Sequence, residues 1–273
     1  MRRGVGRGKR YSAFWLTAVV TAGLLAGCSF GSAGLSSNST VGEKSTTASS
    51  DPGATATAPI DDGSGYIFYE ASPETVSLHL RDPDGKPYGQ LETLRTALET
   101  NGQTVRMLTN SGIYAPGQTP AGLHVQEGEE VTSLNLLDGE GNFQLLPNGV
   151  FYIADGEAGV LESNRYAAAN LTPRLAVQSG PQLLLDGKIH PEFSETSVNT
   201  FVRNGVGVLP NGNVVFLLSR QPVTFWNFAA EFQRRGVENA LYLDGKISAM
   251  AFPTEGEALF PNIPYAGMLV VAE

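Results

Sequence analysis

From about residue 65 onward, apolar positions come in short runs separated by Gly, Asn, Asp and Pro, the pattern of strands joined by tight turns. "YIFYEA" (66–71) opens this region, and "TVSLHLRD" (75–82) alternates, with Val76, Leu78 and Leu80 on one face. "TVRMLTN" (104–110), "ALYLDG" (240–245) and "GMLVVAE" (267–273) read as buried strands. Two segments change to a helical period. In "GQLETLRTALETNG" (89–102), Leu91, Leu94 and Leu98 share a face and Gly102 ends the run. In "VTFWNFAAEFQRRG" (223–236), Phe225, Phe228, Ala229 and Phe232 form the stripe, Thr224 is placed to cap it and Gly236 to stop it. That aromatic stripe is read as core.

Turn chemistry adds hairpins. "NFQLLPNGVFYIADG" (142–156) is expected to turn at Asn148-Gly149, and "GVGVLPNGNVVFLLS" (205–219) at Asn211-Gly212. "LLLDGKIH" (183–190) and "LYLDGKIS" (241–248) repeat an apolar strand, an Asp-Gly pair and a Lys-Ile exit, without matching flanks, so there is no tandem repeat. The fold class predicted is α+β: one strand-rich domain, 65–273, with mixed sheets and two main helices.

The residues before it differ in kind. Arg2, Arg3, Arg7, Lys9 and Arg10 precede the apolar run 14–25, which is shorter than the roughly twenty residues that span a bilayer. Small residues and Cys28, the chain's one cysteine, follow in "LAGC". This resembles a lipoprotein signal, which predicts a signal peptide over 1–27, lipidation at Cys28 and attachment to the bilayer in the cell envelope, outside the cytoplasm. A Ser/Thr/Gly/Ala-rich tether then runs over 28–64, with a root-mean-square reach of about 30–35 Å.

Loss of residues 1–27 would take the net charge from −9 to −14, because that segment carries five positive charges and no acid. So acidic a chain is ill-suited to nucleic acid, whose phosphates need clustered Lys and Arg. A lipidated Cys28 also leaves the folded part without a thiol nucleophile or zinc thiolate. No P-loop, G-x-S-x-G elbow or G-x-G-x-x-G occurs, and His79, His124 and His190 lack metal-ligand spacing, so no metal site or cofactor is read. His79 and His190 are expected at the surface, whereas His124 lies near a loop of interest.

Three loops follow apolar strands: "TNSGIY" (109–114), "VQSGPQ" (177–182) and, leading into a strand, "RNGVGV" (203–208). Small residues expose backbone N–H groups that can receive an anion. Arg203 is the side chain type that grips phosphate or carboxylate with two parallel hydrogen bonds. As a cation leading a buried strand it needs a partner, either a protein carboxylate such as Asp244 or a ligand phosphate. Each loop taken alone is also a plain turn.

"LTNSGIY", "PNGVFYI", "QSGPQLLLDGKIHPEF", "RNGVGV" and "ALYLDGKIS", in this order, resemble the phosphodiester glycosidase family over most of 66–253. The resemblance implies cleavage of the bond between a sugar's anomeric carbon and a phosphodiester oxygen. It puts the family's motifs on Asn110-Ser111-Gly112, Ser179-Gly180-Pro181, Arg203, and Leu243-Asp244-Gly245-Lys246-Ile247-Ser248. Ser111 and Lys246 stand where the family has glycine. On this resemblance Asp244 is the catalytic carboxylate, and Asn110 orients a sugar hydroxyl or the water. Arg203 and the N–H groups around Gly112, Gly180 and Gly245 hold phosphate, and Ser179 and Ser248 donate hydrogen bonds. Glu162 and Glu70 are the candidates for a second carboxylate, and Asp186 is a hairpin residue. The partner implied is a sugar phosphate or phospho-glycan. The alternative reading is an envelope lipoprotein that binds a phosphorylated glycan without cutting it.

Overall fold

The computed structural model describes residues 58–259 and 263–273. Cys28, the signal segment and most of the predicted tether lie outside these residues. The described chain builds the expected strand-rich α+β domain from three large sheets, a two-stranded ribbon of Tyr114–Ala115 and Thr119–Pro120, and three α-helices. The largest sheet has seven strands in the order Ile60–Asp61, Tyr66–Ala71, Val214–Ser219, Asn204–Val208, Ala240–Asp244, Gln182–Leu185 and Lys188–Ile189. One five-stranded sheet runs Glu157–Glu162, Gly149–Ala154, Leu175–Ser179, His124–Gln126, Glu129–Thr132. The other runs Glu257–Leu259, Met250–Phe252, Val105–Asn110, Met268–Ala272, Val76–His79. Among the described residues each paired strand runs antiparallel to its neighbour, so the mixed sheets of the sequence reading are antiparallel ones.

The three sheets share one core. Ile67, Phe216 and Leu243 of the large sheet meet Phe151 and Val177 of the second and Met107 and Leu269 of the third. The outer faces are closed by helices. α1 (Leu91–Thr100) lays Leu91, Leu94 and Leu98 on Leu108, Met268 and Val270. The predicted second helix, Phe225–Arg234, lays Phe228, Ala229 and Phe232 on Val215, Leu217 and Tyr242. The Thr224 hydroxyl caps it by accepting from the Asn227 N–H at 3.1 Å, and Gly236 follows at φ +79°. A sheet covered on both faces needs apolar side chains on both, which is why Val214–Ser219 is buried at every position. A third, short helix, Ser163–Ala168, was not predicted. Its start is capped by the Glu162 carboxylate, which accepts from the Asn164 and Arg165 N–H groups.

Several expectations need correcting. The hairpin does not turn at Asn148-Gly149 but one strand later, at Asp155-Gly156, where both residues have positive φ (+52° and +82°). Asn148 is buried instead: its amide donates to the Phe143 carbonyl and accepts from Ser163. The other hairpin does turn around 209–213, but only Gly212 has positive φ, with its N–H donating to Leu209. The domain begins before residue 65. Ile60–Asp61 pairs with Ile67–Phe68, and Asp61 and Asp62 hold Arg220, Arg234 and Arg235. His190 is buried and stacked on Phe193 at 4.6 Å rather than solvated. His79 is half-buried, edge-on to Tyr88.

Candidate active site

The strand Ala240–Asp244 ends at the mouth of a cavity of about 670 Å³. Alternation along this strand sends Leu241 and Leu243 into the shared core and Tyr242 to the opposite face. Tyr242 and Asp244 both line the cavity. Pairing with the Asn204–Val208 strand slips between Asn204, opposite Asp244, and Gly205, opposite Tyr242. Irregularities of this kind re-aim side chains at a strand end.

Asp244 is held by one oxygen. Its Oδ1 accepts from the Gly245, Lys246 and Ile247 N–H groups at 2.6, 2.6 and 3.0 Å. No hydrogen bond reaches Oδ2 among the described residues. The side chain is nearly buried, and burial pushes its carboxyl above the ordinary value, although the three N–H groups and Lys246 pull the other way. A fixed, desolvated carboxylate with one free oxygen is suited to stabilising a developing positive charge or accepting a proton. The walls around it are mixed. Ile113, Tyr114, Phe143 and Phe201 are apolar or aromatic, Lys246 brings a cation, and Glu140 is the other carboxylate at this cavity among the described residues.

Arg203 lies behind Tyr242, 1% exposed. It donates from Nε to the Val223 carbonyl (2.9 Å), from Nη2 to Asn199 (3.2 Å) and from Nη1 to the Tyr242 hydroxyl oxygen (3.3 Å). Its guanidinium stacks 3.7 Å from the Phe225 ring centre. It makes no ion pair among the described residues, and burial pulls its pKa down. Of the two partners open to Arg203 from the sequence, a protein carboxylate is therefore not the one found.

The remaining predicted residues assemble around these two. Asn110 is buried; its Oδ1 accepts from the Ala249 N–H (2.9 Å) and from Asn204 (2.8 Å), and its Nδ2 has no partner. Ser179 donates to the Leu243 carbonyl at 3.2 Å and receives the Ile113 N–H at 3.4 Å. Gly112 packs on Ser179, where an added Cβ would lie 3.3 Å from that side chain. An added Cβ at Gly180 would lie 2.6 Å from the Phe143 carbonyl, so only glycine lets the loop lining the cavity settle there. Ser248 shares its hydroxyl proton between the Asp244 and Val202 carbonyls (2.8 and 3.0 Å), which ties down the turn after Asp244. Asp244, Gly245 and Lys246 thus face the cavity, while Asn110, Ser179, Ser248 and Arg203 support the strand ends around it.

Glu162 and Glu70 do not join the site. Glu162 caps a helix, and Glu70 receives the side-chain amides of Asn211 and Asn213 across the hairpin. Asp186 sits at φ +50° in its two-residue turn and pairs with Arg165 at 3.0 Å. His124 is fully buried, with both ring nitrogens unpartnered, and lies with Ser111 against Gly267. Tyr242, Phe201 and the 140–144 segment at the cavity were not foreseen. Tyr242 reads as core in an apolar strand, although its two-residue spacing from Asp244 was a usable signal. Glu140 lies in a polar loop that offers none.

Three sheets thus bring strand ends together around Asp244, which opens on the cavity, with the buried Arg203 behind Tyr242. This chain belongs to the phosphodiester glycosidase family, whose model matches residues 103–266 and so spans Asn110 through Ser248, though not Glu70. Among its relatives is the Escherichia coli (strain K12) protein YigE, 36% identical over 206 residues, which cover 74% of this chain and 80% of that protein. The fold is shared with the catalytic domain of zebrafish N-acetylglucosamine-1-phosphodiester alpha-N-acetylglucosaminidase, auto-inhibited by its pro-peptide. That match has 16% identity and a TM-score of 0.55, covering 79% of this chain and 81% of the other.

Proposed function

We propose that this protein is a hydrolase that cleaves the sugar–phosphate bond of a sugar-1-phosphodiester, releasing free sugar and a phosphomonoester. The observation that carries this reading is Asp244. Three backbone N–H groups fix one of its oxygens, and the other is left free at a cavity beside a buried arginine without a counter-ion. An oxocarbenium-like transition state requires a carboxylate nearby and a base for the attacking water. Asp244 takes the first role, and Glu140 is the carboxylate at hand for the second. The phosphomonoester is a good leaving group, so strong acid assistance is less necessary than for an ordinary glycoside. Arg203 supplies the positive field that favours an anionic substrate.

The site residues of the resemblance fit this reading at two depths. Asp244 and Gly245 act at the cavity. Asn110, Gly112, Ser179, Gly180 and Ser248 hold the strand ends in place, and a further role for the unpartnered Asn110 Nδ2 is to meet a sugar hydroxyl or water. We place the protein in the cell envelope, tethered through a lipidated Cys28, on the strength of the "LAGC" segment alone. The test is a panel of sugar-1-phosphodiesters, with free sugar and phosphomonoester quantified for wild type and Asp244→Asn. Equimolar release that depends on Asp244 is expected. Saturable binding without release by the wild type would overturn the hydrolase reading in favour of a glycan-binding lipoprotein.

A further inference from the structure

We infer that Tyr242, not Arg203, is the group that meets the phosphate oxygen of the ligand, and that Arg203 acts as a positioning residue through it. This rests on the reading that the cavity receives a sugar phosphate. Arginine has no acceptor atom, so in the 3.3 Å bond between them the Tyr242 oxygen must accept from Nη1. The phenol proton is then left over. No other side-chain or backbone group among the described residues takes it, and Tyr242 lines the same cavity as Asp244. Burial raises the phenol's pKa, so the proton stays on. Polarisation by a neighbouring cation makes a phenol a stronger donor.

Arg203 is poorly placed to do this itself. Two of its nitrogens donate to the Val223 and Asn199 carbonyls and its face is covered by Phe225; Tyr242 is as buried as Arg203, at 1% exposed, but Tyr242 lines the cavity and Arg203 does not. The glycine after Asp244 completes the arrangement. A Cβ on Gly245 would overlap the Tyr242 hydroxyl, and Gly245 has no positive φ, so what demands glycine here is room for that hydroxyl rather than backbone conformation. Tyr242→Phe keeps the ring that packs edge-on to Phe225 and removes only the oxygen.

The experiment measures binding of inorganic phosphate and of glucose 1-phosphate by calorimetry, with melting temperatures, for wild type, Tyr242→Phe, Arg203→Lys and the double variant. Glucose 1-phosphate affinity is expected to fall about tenfold or more in Tyr242→Phe, the loss of one hydrogen bond to a charged group. Arg203→Lys should fall comparably, and the double variant no further than the weaker single variant. Three results would each overturn the inference: wild-type affinity in folded Tyr242→Phe, losses that multiply in the double variant, or no binding of either probe by wild type. Should Tyr242→Phe not fold, Gly245→Ala displaces the same hydroxyl, and unchanged affinity there overturns it too. Hydrolysis of sugar-1-phosphodiesters by wild type is scored separately. Its absence, with the binding pattern as expected, would remove the hydrolase reading and leave Tyr242 as the anion contact.

Discussion

Asp186 and Asp244 stand at opposite ends of one antiparallel strand pair, Gln182–Leu185 against Ala240–Asp244. Both are followed by Gly-Lys-Ile, yet their carboxylates are in opposite environments. Asp186 is exposed beside an exposed Arg165, in a left-handed conformation that makes the turn. Asp244 is nearly buried, ties down three N–H groups and faces a cavity. Asp186→Asn should therefore cost about 1 kcal/mol or less of stability, the range of exposed ion pairs and surface changes, and leave turnover unchanged. Asp244→Asn retains an Oδ1 acceptor for the three N–H groups and should still fold. Its turnover on a sugar-1-phosphodiester should drop by at least about a hundredfold. Urea melts and initial rates on both variants check this, and equal rate losses would contradict the assignment.

Arg203 carries a structural load whatever it does for a ligand. Lysine in its place keeps the charge but loses the bonds from Nε and Nη2 and the flat stack on Phe225. A stability loss of about 1–3 kcal/mol is expected, the scale of hydrogen bonds to charged groups. Denaturant titration of Arg203→Lys should show it, and wild-type stability would mean those contacts are not made.

The elements that were legible in the sequence have a period their burial enforces. Phe225, Phe228, Ala229 and Phe232 could be read as a helix face because the sheet they cover accepts only that stripe. Asn148-Gly149 misled because the dipeptide is a turn signal only when the Asn side chain is free, and here it is needed inside to bind Phe143 and Ser163. At the site, Arg203 was visible as a cation leading an apolar strand, whereas Asp244 looked the same as Asp186 and was set apart only by the family resemblance. Tyr242 was not visible, since a tyrosine in such a strand looks like core until its hydroxyl is seen against a buried arginine. His190 failed for a similar reason: its partner Phe193 lies in an irregular segment with no period to predict burial.

The buried His124 and the half-buried His79 predict a pH dependence. Burial lowers both His124 and His79 to about 4 from an ordinary value near 6.5. In the window between these values the unfolded chain binds more protons than the folded one, so stability is fully present above about pH 6.5 and falls as pH drops toward 4. For His124 alone the loss between pH 7 and pH 5 is on the order of 1–2 kcal/mol. Asp244, whose carboxyl is raised, works in the opposite sense, so the histidine contribution is read as the difference between wild type and His124→Gln. That variant should show a shallower decline from pH 7 to pH 5, and an identical slope would exclude His124 as its source.

Attachment through Cys28 predicts a change of fraction. Cys28→Ser removes the thiol that would carry the acyl chain, and the folded domain lies far along the sequence from it. The variant should move from the membrane pellet to the supernatant and cease to incorporate labelled fatty acid. Unchanged partition would rule out this anchor.

Gly180 tests whether the loop over the cavity is set from below. It follows Ser179 at the end of a fully buried strand, and its α-carbon lies under Asn142, Phe143 and Asn148. An alanine methyl there would come within 2.6 Å of the Phe143 carbonyl and 2.8 Å of the Asn148 Cβ, both closer than real contacts allow. These are backbone and near-backbone atoms, so no rotamer change relieves the overlap and the loop must lift. Overpacking of this kind costs about 1–3 kcal/mol. The same shift moves Phe143 and Asn142, which line the cavity, while leaving Asp244 and its three N–H partners where they are. Gly180→Ala should therefore lower the melting temperature and raise KM for a sugar-1-phosphodiester more than it lowers kcat. A normal KM in the destabilised variant would mean that the 142–143 segment takes no part in holding the substrate.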